Sequence, residues 1–94
     1  MRSIQMKQLK EKLGQVVLID VREEDEYLEG HVPTAINIPL SVLEQRYLEI
    51  EDESYIICQS GVRSMRACQF LEAQGVATTN VTGGTLSWDQ ELEK

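Results

Sequence analysis

Two short apolar runs, each ending on a chemically active side chain, limit what this chain can fold into. Val16-Val17-Leu18-Ile19 stops at Asp20, and Tyr55-Ile56-Ile57 feeds directly into Cys58. Continuous runs of this length suit strands buried on both faces, the habit of parallel sheets. Helical patterns lie between them. Met6, Leu9 and Leu13 recur at helical spacing before Gly14, and Glu23 to Glu29 reads as a short helix closed by Gly30. Ser41 is placed to cap a helix running through Tyr47, with Glu44 as its capping-box partner. Ala35-Ile36-Asn37-Ile38, ended by Pro39, and Thr79-Asn80-Val81 read as further strands. Ala67, Cys68 and Leu71 mark the apolar face of a helix expected from Ser64 to about Gln74, and Leu86 to Leu92 is expected to form a terminal helix after a Gly83-Gly84 turn. The alternation predicts the α/β class, a small parallel β-sheet with helices on both faces. Such sheets carry their sites beyond the carboxyl ends of the strands, which brings Asp20 and Cys58 to one edge.

Composition narrows the function classes. At 94 residues with 41% apolar content, one small domain over residues 1–94 is expected. The net charge of −7 and pI near 4.6 argue against a nucleic-acid surface, which needs basic residues to replace phosphate counterions. No apolar run is long enough to span a membrane, and Met1 to Lys7 lacks the apolar stretch of a signal peptide, so a cytoplasmic protein without membrane contact is expected. Two cysteines do not make a disulfide framework. No Cys/His cluster has metal-ligand spacing and no glycine-rich nucleotide loop is present, so no metal and no cofactor is expected. The surface shows no apolar stripe beyond what a core uses, so a monomer is expected.

The chemistry concentrates in Cys58-Gln59-Ser60-Gly61-Val62-Arg63-Ser64. A thiol between a strand end and a helix start sits where backbone N–H groups and the positive end of the helix dipole converge. That environment lowers a thiol pKa and favours the nucleophilic thiolate. Arg63 adds a fixed positive charge that can meet the thiolate or an anion, or can point outward and leave binding to the amides. Gly61 supplies a backbone angle that other residues resist. The acidic whole repels small anions, so an anion site needs local cations, and Arg22, Arg63 and Arg66 are the candidates.

Three blocks resemble the rhodanese-like sulfurtransferase domains in their single-domain form. Leu18-Ile19-Asp20-Val21-Arg22 with Glu26-Tyr27 and Gly30-His31-Val32-Pro33-Thr34-Ala35-Ile36-Asn37-Ile38-Pro39 is similar to the family's first signature. Cys58 to Ser64 resembles its active-site loop, and Val81-Thr82-Gly83-Gly84 with Trp88 its closing motif. The resemblance implies a three-layer α/β/α fold and a mechanism in which the Cys58 thiolate takes sulfane sulfur from thiosulfate or a persulfide. The Cys58 persulfide, cradled by the amides of Gln59, Ser60, Gly61, Val62, Arg63 and Ser64, then passes its outer sulfur to cyanide, a thiol or a protein acceptor such as a thioredoxin-like reductant. This is covalent catalysis that needs no general base, because the attacked atom is sulfur. The same resemblance leaves two alternatives: a non-catalytic binding module, and a small phosphatase or arsenate reductase. Four residues separate Cys58 from Arg63, whereas protein tyrosine phosphatases place five between cysteine and arginine. The shorter loop fits a single sulfur atom better than a tetrahedral phosphate.

The remaining candidates read as support. Asp20 is expected to accept loop N–H groups or to pair with Arg22 or Arg63. Arg22 is expected to make a scaffold ion pair, for example with Glu26. Cys68 reads as a core cysteine, Arg66 as a surface residue, His31 as a hydrogen-bonded turn residue and Trp88 as a core aromatic that seats the terminal segment.

Overall fold

The computed structural model describes residues 1–94. The chain runs β1 (Arg2–Gln5), α1 (Met6–Lys10), β2 (Leu18–Asp20), α2 (Glu24–Glu29), β3 (Ile36–Asn37), α3 (Leu43–Arg46), β4 (Ser54–Ile57), α4 (Val62–Ala73) and β5 (Thr78–Thr82). Single 3-10 turns cover Leu40–Val42, Tyr47–Glu49 and Gly84–Ser87. The five strands form one parallel sheet in the order β1-β5-β4-β2-β3. Leu18, Ile19 and Asp20 stand opposite Tyr55, Ile56 and Ile57, so β2 and β4 end together and Cys58 follows at the same edge as Asp20.

Strand alternation divides the core into two clusters. Ile19, Ile56 and Cys58 face a cluster with Leu43 and Ile50 and with Ala67, Cys68 and Leu71 of α4. Leu18, Ile57 and Val81 face the other way, toward Met6 and Leu9 of α1. Helices therefore cover both faces, and each central strand is apolar on both sides, as its unbroken apolar run predicts. On α4 the buried residues Ser64, Ala67, Cys68 and Leu71 follow helical spacing. Glu23 and Glu26 close a capping box on α2, whose first turn holds three acidic residues at the positive end of its dipole. No helix is long and apolar enough to cross a membrane.

One element is unanticipated and two expectations are corrected. The N-terminal residues Arg2–Gln5 form an edge strand, paired with Thr79 to Thr82, before the helix at Met6 begins. Ser41 does not cap a helix: it lies in the 3-10 turn, its hydroxyl donates to Glu23, and α3 starts after Val42. Leu86 to Leu92 does not form a helix. The 3-10 turn stops at Ser87, Trp88 is extended, and Glu93 pairs antiparallel with His31 through N–H to O distances of 2.8 and 2.9 Å. Backbone pairing with His31, with Trp88 packed beside the α1 cluster, overrides local helix propensity.

Candidate active site

Cys58 leaves the end of β4 and its side chain turns back into a loop closed by the first turn of α4. Gly61 is the N-cap, at φ +105°, in the left-handed region that glycine tolerates. The Gly61 N–H donates to Cys58 Sγ at 3.0 Å, and Sγ lies 3.3 Å from Ser64 Oγ. Burial pushes the Cys58 thiol up, but the Ser64 hydroxyl and the N–H groups of Ser64, Gly61 and Ser60 outweigh it, so the net direction is down. The site stabilises a thiolate by hydrogen bonds rather than by a contacting charge.

The turn after β5 fixes how the loop faces. The Cys58 carbonyl accepts from Thr85 N–H at 2.8 Å and from Thr85 Oγ1 at 3.0 Å, and the Gln59 carbonyl accepts from Leu86 N–H at 3.0 Å. With these carbonyls engaged on the far side, the loop N–H groups are left to face the sulfur, a nest for an anion. Gly84 permits this approach. A Cβ there would stand 2.4 Å from the Cys58 carbonyl oxygen and 2.6 Å from that of Gln59.

Asp20 and Arg22 form a buried pair beneath the loop. Arg22 Nη2 lies 2.9 Å from Asp20 Oδ2, and the Arg22 N–H donates to Asp20 Oδ1 at 2.9 Å. Arg22 also reaches the Gly30 carbonyl at 2.8 Å and Gln59 Oε1 at 3.3 Å, which links β2 to the active-site loop. The expected pairing of Arg22 with Glu26 is corrected. Glu26 instead takes Arg63 in a two-pronged pair at 2.7 and 2.9 Å. Hydrogen bonding from Arg63 leads the causes that hold the Glu26 carboxyl down at about 2. Val62 and Arg66 are exposed, His31 stacks on Tyr27 and bonds its carbonyl through Nδ1, and Cys68 is buried on α4, where burial pushes its thiol up.

The structure thus gathers Cys58, the loop from Gln59 to Ser64, Asp20 and Arg22 at one edge. Sequence reasoning missed Thr85, Leu86 and Asn80, which hold the loop from β5 and the turn after it. The Gly83-Gly84 pair signals a close backbone approach there, though not its partner. A shallow depression beside the loop is lined by Arg22, Glu26, Gln59, Thr85, Leu86 and Leu92 among others.

Comparison with known proteins agrees with this fold. The family model described as Rhodanese-like domain matches residues 5–91. The Bacillus subtilis protein named "Putative sulfurtransferase YtwF" is 40% identical over 90 residues, covering 90% of this chain and 87% of that protein. A crystal structure of a rhodanese-like domain protein from Staphylococcus aureus superposes with a TM-score of 0.90 at 36% identity, over 99% of this chain and 97% of that one. The human single-domain sulfurtransferase TSTD1 superposes with a TM-score of 0.80 at 29% identity, over 94% and 95%. With its parallel five-stranded sheet and its cysteine loop, the chain belongs to the rhodanese-like domain family.

Proposed function

We propose that the chain is a sulfurtransferase that carries sulfane sulfur on Cys58. The observation that carries this reading is a buried thiol whose sulfur accepts the Gly61 N–H and lies against the Ser64 hydroxyl, and whose pKa is lowered without a contacting base. The Cys58 thiolate attacks the outer sulfur of thiosulfate, the S–S bond of the donor breaks with its electron pair leaving on sulfite, and Cys58 becomes a persulfide anion. Cyanide or a thiolate then attacks the outer sulfur, and the electron pair of the Cys58 S–S bond returns to the Cys58 thiolate. No proton moves in either step, so no base is required. The loop nest meets the anion in both states. Cys58 is 1% exposed, which favours donors that present one terminal sulfur atom over a bulky tetrahedral group. A persulfide donor and a protein thiol or thioredoxin-like acceptor fit the same exchange.

The test is the intact mass of reduced protein after incubation with thiosulfate. The expected result is a gain of one sulfur atom, removed by cyanide and absent from Cys58→Ser. No gain from thiosulfate or from a small persulfide would overturn the reading. Aryl phosphate turnover lost in Cys58→Ser would replace it with a phosphatase.

A further inference from the structure

We propose that Asn80 is a positioning residue that competes with Cys58 for the single hydroxyl proton of Ser64. The inference rests on Cys58 being the sulfur-accepting nucleophile. Asn80 lies on β5 next to Cys58's own strand, with its side chain buried against the loop. Ser64 Oγ is 3.3 Å from Cys58 Sγ on one side and donates to Asn80 Oδ1 on the other. Both residues are buried, at 0% and 3% exposure, so water does not supply a substitute partner.

A hydroxyl has one proton to give. While Cys58 is a thiol, its S–H donates to Ser64 Oγ and Ser64 donates to Asn80 Oδ1, so every group is satisfied. When Cys58 ionises, the best use of the Ser64 proton is the thiolate, and turning it there leaves Asn80 Oδ1 without a donor. A buried acceptor that loses its partner carries a desolvation cost. Asn80 therefore favours the neutral thiol and holds back the acidity that the loop amides confer. The Gly61 carbonyl, which Asn80 Nδ2 approaches at 3.4 Å, also accepts from Met65 N–H, so the loop does not depend on Asn80 for that bond.

The restraint suits a thiol with two duties. A thiolate loses nucleophilicity as its pKa falls, while a low pKa makes it a better leaving group, so a site that both takes and releases sulfur works best at an intermediate acidity. Of the charged groups near Cys58, Asp20 and Arg22 neutralise each other, as do Glu26 and Arg63. Cys68 lies further along α4, and β5 brings no titratable side chain.

The experiment follows iodoacetamide alkylation of Cys58 against pH, by mass spectrometry, with no sulfur donor present. Failure here is thus separate from failure of sulfur transfer. Asn80→Leu removes the competing acceptor and is expected to lower the midpoint by about half to one pH unit, and Ser64→Ala to raise it by a similar amount. In the Ser64→Ala background Asn80→Leu should then have no effect. Should Asn80→Leu not fold, Asn80→Val suits a strand and carries the same sign. A midpoint unmoved or raised in the folded Asn80 variant, or a shift that persists without Ser64, would overturn the proposal.

Discussion

At the scale of single residues, the two cysteines show how environment divides identical side chains. Cys58 and Cys68 are both buried, at 1% and 0% exposure, yet their acidities move in opposite directions. Burial raises both, and against it Cys68 has a single hydroxyl, that of Thr78, whereas the loop N–H groups of Ser60, Gly61 and Ser64 and the Ser64 side chain surround the sulfur of Cys58. Alkylation at neutral pH is expected to modify Cys58 faster than a free cysteine, and Cys68 only after denaturation. Peptide mapping of labelled protein checks this, and equal labelling of the two would contradict it. Arg22 makes a second residue-level case. Arg22→Ala strands the Asp20 carboxylate in the core, so a loss of about 3–5 kcal/mol in urea unfolding is expected. Replacing both partners, as in Asp20→Leu with Arg22→Met, removes the buried charge altogether and should cost less than the single change. A double variant no more stable than Arg22→Ala would show that the links from Arg22 to Gly30 and Gln59, not charge burial, dominate.

At the scale of elements, the site is a meeting of three pieces: the end of β4, the start of α4 and the turn after β5. Gly84 is where the third piece presses on the first. Gly84→Ala must push the turn away from the Cys58 and Gln59 carbonyls, at a cost of about 1–3 kcal/mol or more, and must loosen the bonds from Thr85 and Leu86. A lower urea midpoint together with slower Cys58 alkylation is the expected pair of results; destabilisation with unchanged reactivity would mean the turn supports the fold but not the loop. Which elements the sequence makes legible follows from the same contacts. β2 and β4 announce themselves through unbroken apolar runs because both of their faces are buried. β1 does not, since an edge strand with only Ile4 buried leaves no pattern. The stretch after Leu86 misleads, because its conformation is set by pairing with His31, far away in sequence. In the site, the Cys58 loop is local and readable, whereas the exchange of partners between Arg22 and Arg63 depends on how α2 sits over α4, which no local pattern encodes.

At the scale of the whole molecule, the pair between Glu26 and Arg63 ties α2 to the first turn of α4 across the mouth of the site, and it makes stability depend on pH. The folded protein holds the Glu26 carboxyl at about 2, below its ordinary 4.5, so on acidification the unfolded chain takes up this proton first. The contribution is therefore complete above about pH 4.5 and is lost as pH falls toward about 2. Both side chains are about one-third exposed, at 35% and 34%, so solvent screening keeps the contribution to about 0.2–1 kcal/mol. Glu26→Gln keeps the cap on α2, since its amide oxygen can still accept the Glu23 N–H. It removes the charge and, with the second carboxylate oxygen, one of the two acceptors that Arg63 uses. Wild type is expected to exceed Glu26→Gln in urea midpoint at neutral pH, with the gap closing between about pH 4.5 and pH 2 and narrowing in high salt. Glu49 and Asp89 are lowered in the same direction by Arg46 and Lys10, so the Glu26→Gln curve keeps an acid slope of its own. Only the difference between the two proteins isolates the contact at the site. A gap that stays constant down to pH 2 would assign the effect of Glu26→Gln to something other than the charge of this pair.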